Sequence, residues 1–119
     1  MLVVFTQIDY DRDMALIAMD ASQPEEKILG VARLIRRKSG GNEAEFAVVV
    51  TDAWQGKGVG ATLMRRLMVV AKEQSLKLLW GMVLPQNKQM LILARKLGFE
   101  IHKDPEEHEY EVKIDLQKP

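Results

Sequence analysis

Gly56, Gly58 and Gly60 stand on alternate positions between an apolar, β-branched run and an amphipathic one. Glycine lets a main chain approach a phosphate where a Cβ would collide. The first turn of a helix leaves its N–H groups unpaired and carries about half a positive charge. Phe46 to Val50 reads as a buried strand before the loop, and Ala61 to Glu73 as a helix after it. Together they aim a row of N–H groups at one point, which suits a pyrophosphate. Spacing narrows the kind of cradle. A Walker loop needs Lys followed by Ser or Thr, and Lys57 is followed by Gly58. A dinucleotide fingerprint needs G-x-G-x-x-G and a carboxylate about 20 residues on. Here the glycines run G-x-G-x-G, and the next strand ends at Leu84-Pro85-Gln86-Asn87 without a carboxylate. A glycine-rich turn that merely starts a helix is the plain alternative.

The segment Gln55-Gly56-Lys57-Gly58-Val59-Gly60 resembles the Gln/Arg-x-x-Gly-x-Gly/Ala motif of the GCN5-related N-acetyltransferase (GNAT) superfamily, with Gln55, Gly58 and Gly60 in the three defined positions. The resemblance implies that this loop holds the pyrophosphate of acetyl-CoA. It also implies that main-chain groups of Val48, Val49 and Val50 bind the pantetheine arm like an added strand. One of their amides would polarise the thioester carbonyl. Asn87, just after the next strand, is expected either to bond the cofactor, as in the family, or only to cap a helix.

Acetyl transfer to an amine requires a neutral amine, and a lysine with a pKa near 10.4 is neutral in only about one molecule in a few thousand at pH 7. A carboxylate that takes the proton is the usual remedy. Glu45 is the candidate. It lies five or six residues before the loop, roughly 17–20 Å by strand rise, on the scale of an extended pantetheine arm. Strand alternation puts it on the face of Ala47 and Val49, whose small side chains leave room. A glutamate there also resembles the general base of GCN5-type lysine acetyltransferases. A salt-bridged strand-end glutamate is the alternative. One position departs from the family: many members carry a tyrosine four residues before the glycine of the Gly-Phe pair, to protonate the leaving thiolate, and here that residue is Ala94. Water or another group must then serve.

These residues need a scaffold, and the chain supplies one in order. Met14 to Met19, Ile28 to Arg36 and Glu45 to Thr51 read as strands of an antiparallel meander, joined by a turn containing Pro24 and by Lys38-Ser39-Gly40-Gly41-Asn42. A helix from about Val59 to Gln74 presents Val59, Leu63, Leu67, Val70 and Ala71 on one stripe. Leu78 to Leu84 must run parallel to the third strand, because a helix joins them. A second helix, Lys88 to Leu97, is capped by Asn87 and stopped by Gly98. Phe99 to Lys103 and Tyr110 to Leu116 close the chain around a charged turn, Asp104 to Glu109. This order, an α/β GNAT fold with a mixed, mostly antiparallel sheet and two main helices, matches the family from its second strand onward, as do Leu97-Gly98-Phe99 and Asn87.

Residues 1–13 are harder to assign: Met1 to Phe5 suits a helix end or a short strand, and Asp9, Asp11 and Asp13 interrupt the apolar run. Phe5 to Leu16 resembles the segment entering the second strand of bacterial protein lysine acetyltransferases in which this domain is attached to an acyl-CoA synthetase-like region. That alignment implies a single acetyltransferase domain over residues 1–119, N-terminally shortened, without the usual first strand and first helices. It also implies possible membership of a larger chain. The Met14–Met19 strand would then form an open edge through which copies of the chain associate.

At 119 residues the chain is one domain, and 47% hydrophobic with 29% charged residues is a globular composition. Seventeen basic residues balance seventeen acidic ones, so neither nucleic acid nor an anionic membrane is an expected partner. The absence of cysteine removes disulfide and thiol chemistry, and with no leader-like segment it points to the cytoplasm. His102 and His108 lack zinc spacing, so no metal is expected; Trp54 and Trp80 read as packing residues. Glu106, Glu107, Glu109 and Glu111 could attract a substrate lysine, but a solvated hairpin is the plainer reading. The sequence thus points to an acetyl-CoA-dependent N-acetyltransferase with a protein lysine, or else a small-molecule amine, as acceptor. The rival is an acyl-CoA-binding regulatory module without its own turnover.

Overall fold

A computed structural model describes residues 2–11, 13–22, 27–36, 41–51, 54–104, 106 and 108–117. The turn at Pro24, the Lys38–Gly40 part of the hairpin connection, Asp52, Ala53 and Glu107 lie outside the described residues. The elements are β1 (Val3–Asp9), β2 (Asp13–Asp20), β3 (Lys27–Arg36), β4 (Glu43–Val50), α1 (Val59–Glu73), β5 (Leu78–Val83), α2 (Lys88–Lys96), β6 (Glu100–Asp104) and β7 (Glu109–Asp115). The strands form one sheet in the order β1-β2-β3-β4-β5-β7-β6. Only β4 and β5 pair in parallel among neighbouring strands, as the helix between them requires.

The expectation for the N-terminus needs correction. Val3–Asp9 is a strand, paired along its whole length with β2 from Val3↔Asp20 to Asp9↔Met14. The place beside β2 is therefore filled, and β2 is flanked on its other side by β3. The Met14–Met19 strand is not an edge; the edges are β1 and β6.

Strand parity sorts the sheet into two faces. Leu16, Ala32, Phe46, Leu79 and Val112 point to one face and merge there with Leu63, Leu67 and Ala94 of the helices into a single core. On α1 the buried stripe is Val59, Leu63, Met64, Leu67 and Ala71; Val70, expected on it, is partly buried, and Met64 takes its place. Gly30 permits the close fit of α1 on β3, since a Cβ there would meet Leu63 Cδ1 and the Val49 carbonyl at 3.0 Å. The other face carries Val4, Ile8, Ile17, Val31, Ile35, Glu45 and Trp80 by the same registers, and no described helix covers it.

Asp20 is the one charged side chain buried among the described residues. Its carboxylate accepts from Ser22 Oγ at 2.6 Å and Ser22 N at 2.9 Å. These bonds, with help from the Leu2 main chain, hold its pKa below the ordinary value against the opposing cost of burial. The bond from Ala21 N to the Leu2 carbonyl, at 2.8 Å, fastens the same corner.

Candidate functional site

The β4–β5 pair forms a fork. Pairing is confined to Glu43↔Leu78, Ala44↔Leu79 and Glu45↔Trp80, after which the strands part. Side chains pack tightly at the vertex. The Phe46 ring lies over Gly81, where a Cβ would come within 2.7 Å of two ring atoms, and it meets Phe99 edge-on at 5.6 Å between centroids. This aromatic contact forms a wedge at the rung where the pairing ends, and glycine opposite gives the ring room.

Beyond the wedge the main chain of β4 faces open space. The bond from Thr51 N to the Leu29 carbonyl fixes the phase of the β3–β4 ladder. Residues 45, 47, 49 and 51 therefore direct their main-chain groups at β3, and 46, 48 and 50 direct theirs into the fork. Val48 and Val50 have no strand partner on that side, although the Val50 carbonyl accepts from Gln55 Nε2 at 3.3 Å. Val49, included with them on sequence grounds, has the opposite phase: its main chain bonds toward β3 and its side chain is 69% exposed.

At the mouth of the fork sits the glycine loop. Gly56 and Gly58 have φ of 77° and 86°, left-handed values that strain any residue with a Cβ. Gly58 is also the N-cap of α1 and gives it no side-chain cap; the first turn holds no acidic residue. The leading N–H groups of α1 are thus left to an external acceptor. A Cβ on Gly58 would meet nothing within 4 Å, so the space before those groups is open. Gly60 lies in the first turn of α1, where its N–H is one of those leading groups, and a Cβ there would make only an ordinary contact with Val50 Cγ2, at 3.4 Å.

The fork and loop enclose a cavity of about 510 Å³, closed on the far side by α2. Of the predicted binding residues, Val48, Val49, Val50, Gln55, Gly56, Gly58, Gly60 and Asn87 line it. Val59 does not, because its side chain is in the core. Lys57 does not either; its Nζ lies 5.2 Å from the Trp54 ring centroid. Asn87 caps α2, its side chain accepting from Met90 N at 3.2 Å, while also lining the cavity. Sequence reasoning missed the α2 wall of Gln89, Met90, Ile92, Leu93 and Lys96, and took Trp54, which also lines the cavity, for packing alone. The spacing 89, 92, 93, 96 is a helical stripe, and the 57% exposure of Ile92 marks it as facing a void rather than the core.

Glu45 occupies the last paired rung before the fork opens, opposite Trp80. It shares the helix-free face with Ala47 and Val49, as strand alternation predicts, and is half-buried. It does not line the large cavity; it stands at the vertex, on the other side of the sheet. Ala94 is 1% exposed within the core and is likewise absent from the cavity wall. Among the described residues no cluster of His, Cys, Asp and Glu could hold a metal ion.

A fork between two parallel strands, with main-chain groups that no strand pairs along one side and a helix N-terminus at its mouth, has the shape and polarity that suit a long, extended, phosphate-bearing molecule. The chain belongs to the acetyltransferase (GNAT) family, whose model matches residues 3–99. It is 32% identical over 100 residues to Acetyltransferase PA5475 of Pseudomonas aeruginosa, an alignment covering 84% of this chain and 53% of that protein. The chain thus spans about half the length of this curated relative. The GNAT domain of S. lividans PAT superposes with a TM-score of 0.76 at 26% identity, over 90% of this chain and 64% of that one. The yncA protein of Salmonella typhimurium, a putative acetyltransferase solved with its cofactor acetyl-CoA, shares the fold at a TM-score of 0.78 and 21% identity, over 90% of this chain and 66% of that one. No helix among the described residues is long and apolar enough to cross a membrane.

Proposed function

We propose that this chain transfers the acetyl group of acetyl-CoA to an amine, with a protein lysine as acceptor. The observation that carries the proposal is the fork. The main-chain groups of Val48 and Val50 present the pattern of a missing strand to an amide-containing arm, and the glycine loop with the start of α1 offers N–H groups to a pyrophosphate at the same mouth. When bound, acetyl-CoA supplies an activated acetyl thioester. The chain's residues do the rest. The loop amides hold the phosphates, and the β4 main chain orients the arm along the fork. Glu45, at the vertex, takes the proton from an amine arriving over the helix-free face. The lysine assignment draws its support from the Phe5–Leu16 resemblance and the likeness to the S. lividans domain.

A second reading, an acyl-CoA-binding module without turnover, is favoured by Ala94: its burial leaves no side-chain acid from that position for a departing thiolate. Coenzyme A ionises readily enough, as thiols do near pKa 8.5, for water to serve.

The test of the cradle is Gly58→Asp, which places a carboxylate where the phosphates would lie. Coenzyme A binding, followed by calorimetry, is expected to be lost with the circular dichroism spectrum unchanged; retained affinity would overturn the phosphate role. Mass spectrometry of lysine peptides incubated with the wild-type chain and acetyl-CoA separates the two readings: acetylated peptide is expected from the enzyme and none from the binding module.

A further inference from the structure

The two edges of the sheet are built differently. β6, Glu100–Asp104, has five residues, four of them polar or charged. Such an edge resists pairing with another strand. β1 has seven, VVFTQID, with Asp9 its one charge. It contains no proline and no lysine, and its ladder with β2 runs without a bulge.

The bonds at its two ends fix which way its main chain points. Ala21 N donates to the Leu2 carbonyl and Tyr10 N to the Asp13 carbonyl, each at 2.8 Å. Residues 2, 4, 6, 8 and 10 therefore bond toward β2, and Val3, Phe5, Gln7 and Asp9 direct their N–H and C=O groups outward from the edge. On the helix-free face the even residues form an exposed row: Leu2 at 59%, Val4 at 38%, Thr6, Ile8 at 37% and Tyr10 at 60%. That row is symmetric about Thr6, with two apolar side chains on each side.

We propose that two copies of this chain pair β1 to β1, antiparallel, about a two-fold axis through Thr6. The edge is its own complement in this register. Val3 meets Asp9 of the second copy and Phe5 meets Gln7, so every outward N–H and C=O finds a partner, about eight bonds in all at two per bonded pair. The even residues fall in the non-bonded positions, where side chains approach most closely. There Leu2 covers Tyr10, Val4 covers Ile8, and Thr6 faces Thr6. No other register within the strand pairs all four outward residues and all four exposed apolar ones.

The chain has no cysteine, which makes the register directly testable. Thr6→Cys would place two thiols on residues whose Cα atoms are about 4.5 Å apart, within the range a disulfide spans. Under mild oxidation this variant is expected to run mostly as a covalent dimer, whereas Val4→Cys, facing Ile8, should crosslink at least about tenfold more slowly. Sedimentation equilibrium of the wild type should show a concentration-dependent dimer. Gln7→Pro, which removes an outward N–H and no bond to β2, should weaken it by about tenfold or more with the fold retained. A wild type that stays monomeric at several hundred micromolar, about the range where a small interface is populated, together with a Thr6→Cys variant that does not crosslink, would overturn the proposal. So would a dimer in which Val4→Cys crosslinks faster than Thr6→Cys.

Discussion

At Gly58 the left-handed backbone and the open space before the first turn of α1 coincide, whereas Gly60 lies within that turn. The motif glycines are therefore not equivalent: the backbone conformation requires glycine at Gly58, whereas a Cβ at Gly60 would make only an ordinary contact. Glu45 is set apart from both, at the last rung before the fork. If it takes the amine proton, Glu45→Gln should leave coenzyme A affinity unchanged, because the amide is nearly isosteric and lies outside the large cavity. Turnover should fall by about 10²- to 10⁴-fold at pH 7. The deficit should shrink as pH rises toward the lysine pKa, where more amine is already neutral; a pH-independent deficit, or none with chemistry rate-limiting, would remove Glu45 from the reaction. That the glycines, Gln55 and Asn87 share one cavity wall, and that Glu45 shares a face with Ala47 and Val49, was legible in the sequence because spacing and strand alternation fix placement. The phase of Val48 to Val50 was not, because it depends on which main-chain groups β3 claims. Lys57 looked like part of the cradle by position, yet its ammonium sits over Trp54.

Among the elements, the strand-helix-strand unit from Phe46 to Val83 could be read from its continuous apolar strand runs and the 3.6 periodicity of the helix, and the observed boundaries fall within about two residues of expectation. β1 could be read only in part, as a helix end or a short strand at Met1 to Phe5: Val3 and Phe5 pack on the core, but every strand residue beyond Phe5 is exposed and the apolar pattern ends there. Of the aspartates that interrupt the apolar run, Asp9 ends β1 and Asp13 begins β2. Nor does sequence announce the fork, since the wedge is a contact between Phe46 and Gly81, residues brought together by the parallel pairing. That contact makes a prediction. Gly81→Ala would force a methyl within 2.7 Å of the Phe46 ring, so the ring must move or the strands part further. Urea denaturation should show a loss of about 1–3 kcal/mol, the usual cost of overpacking. The double variant with Phe46→Leu should recover part of it, and a neutral Gly81→Ala would show that the ring does not hold the fork open.

For the molecule as a whole, the fork sets a condition on stability. The folded chain carries, at the centre of its sheet, hydrogen-bonding groups on Val48 and Val50 that no strand of its own uses. A ligand that fills the fork binds the folded chain and not the unfolded one. Saturation to 100 times the dissociation constant then adds about 2.7 kcal/mol. For a domain of this size that corresponds to a rise in melting temperature of roughly 10 °C. Differential scanning fluorimetry with coenzyme A should show it in the wild type and not in Gly58→Asp. A difference of that size also changes how long a marginally stable protein escapes degradation. On the proposed function, the steady-state amount of this chain would then follow the supply of coenzyme A thioester, so that a shortage would lower the amount of the chain as well.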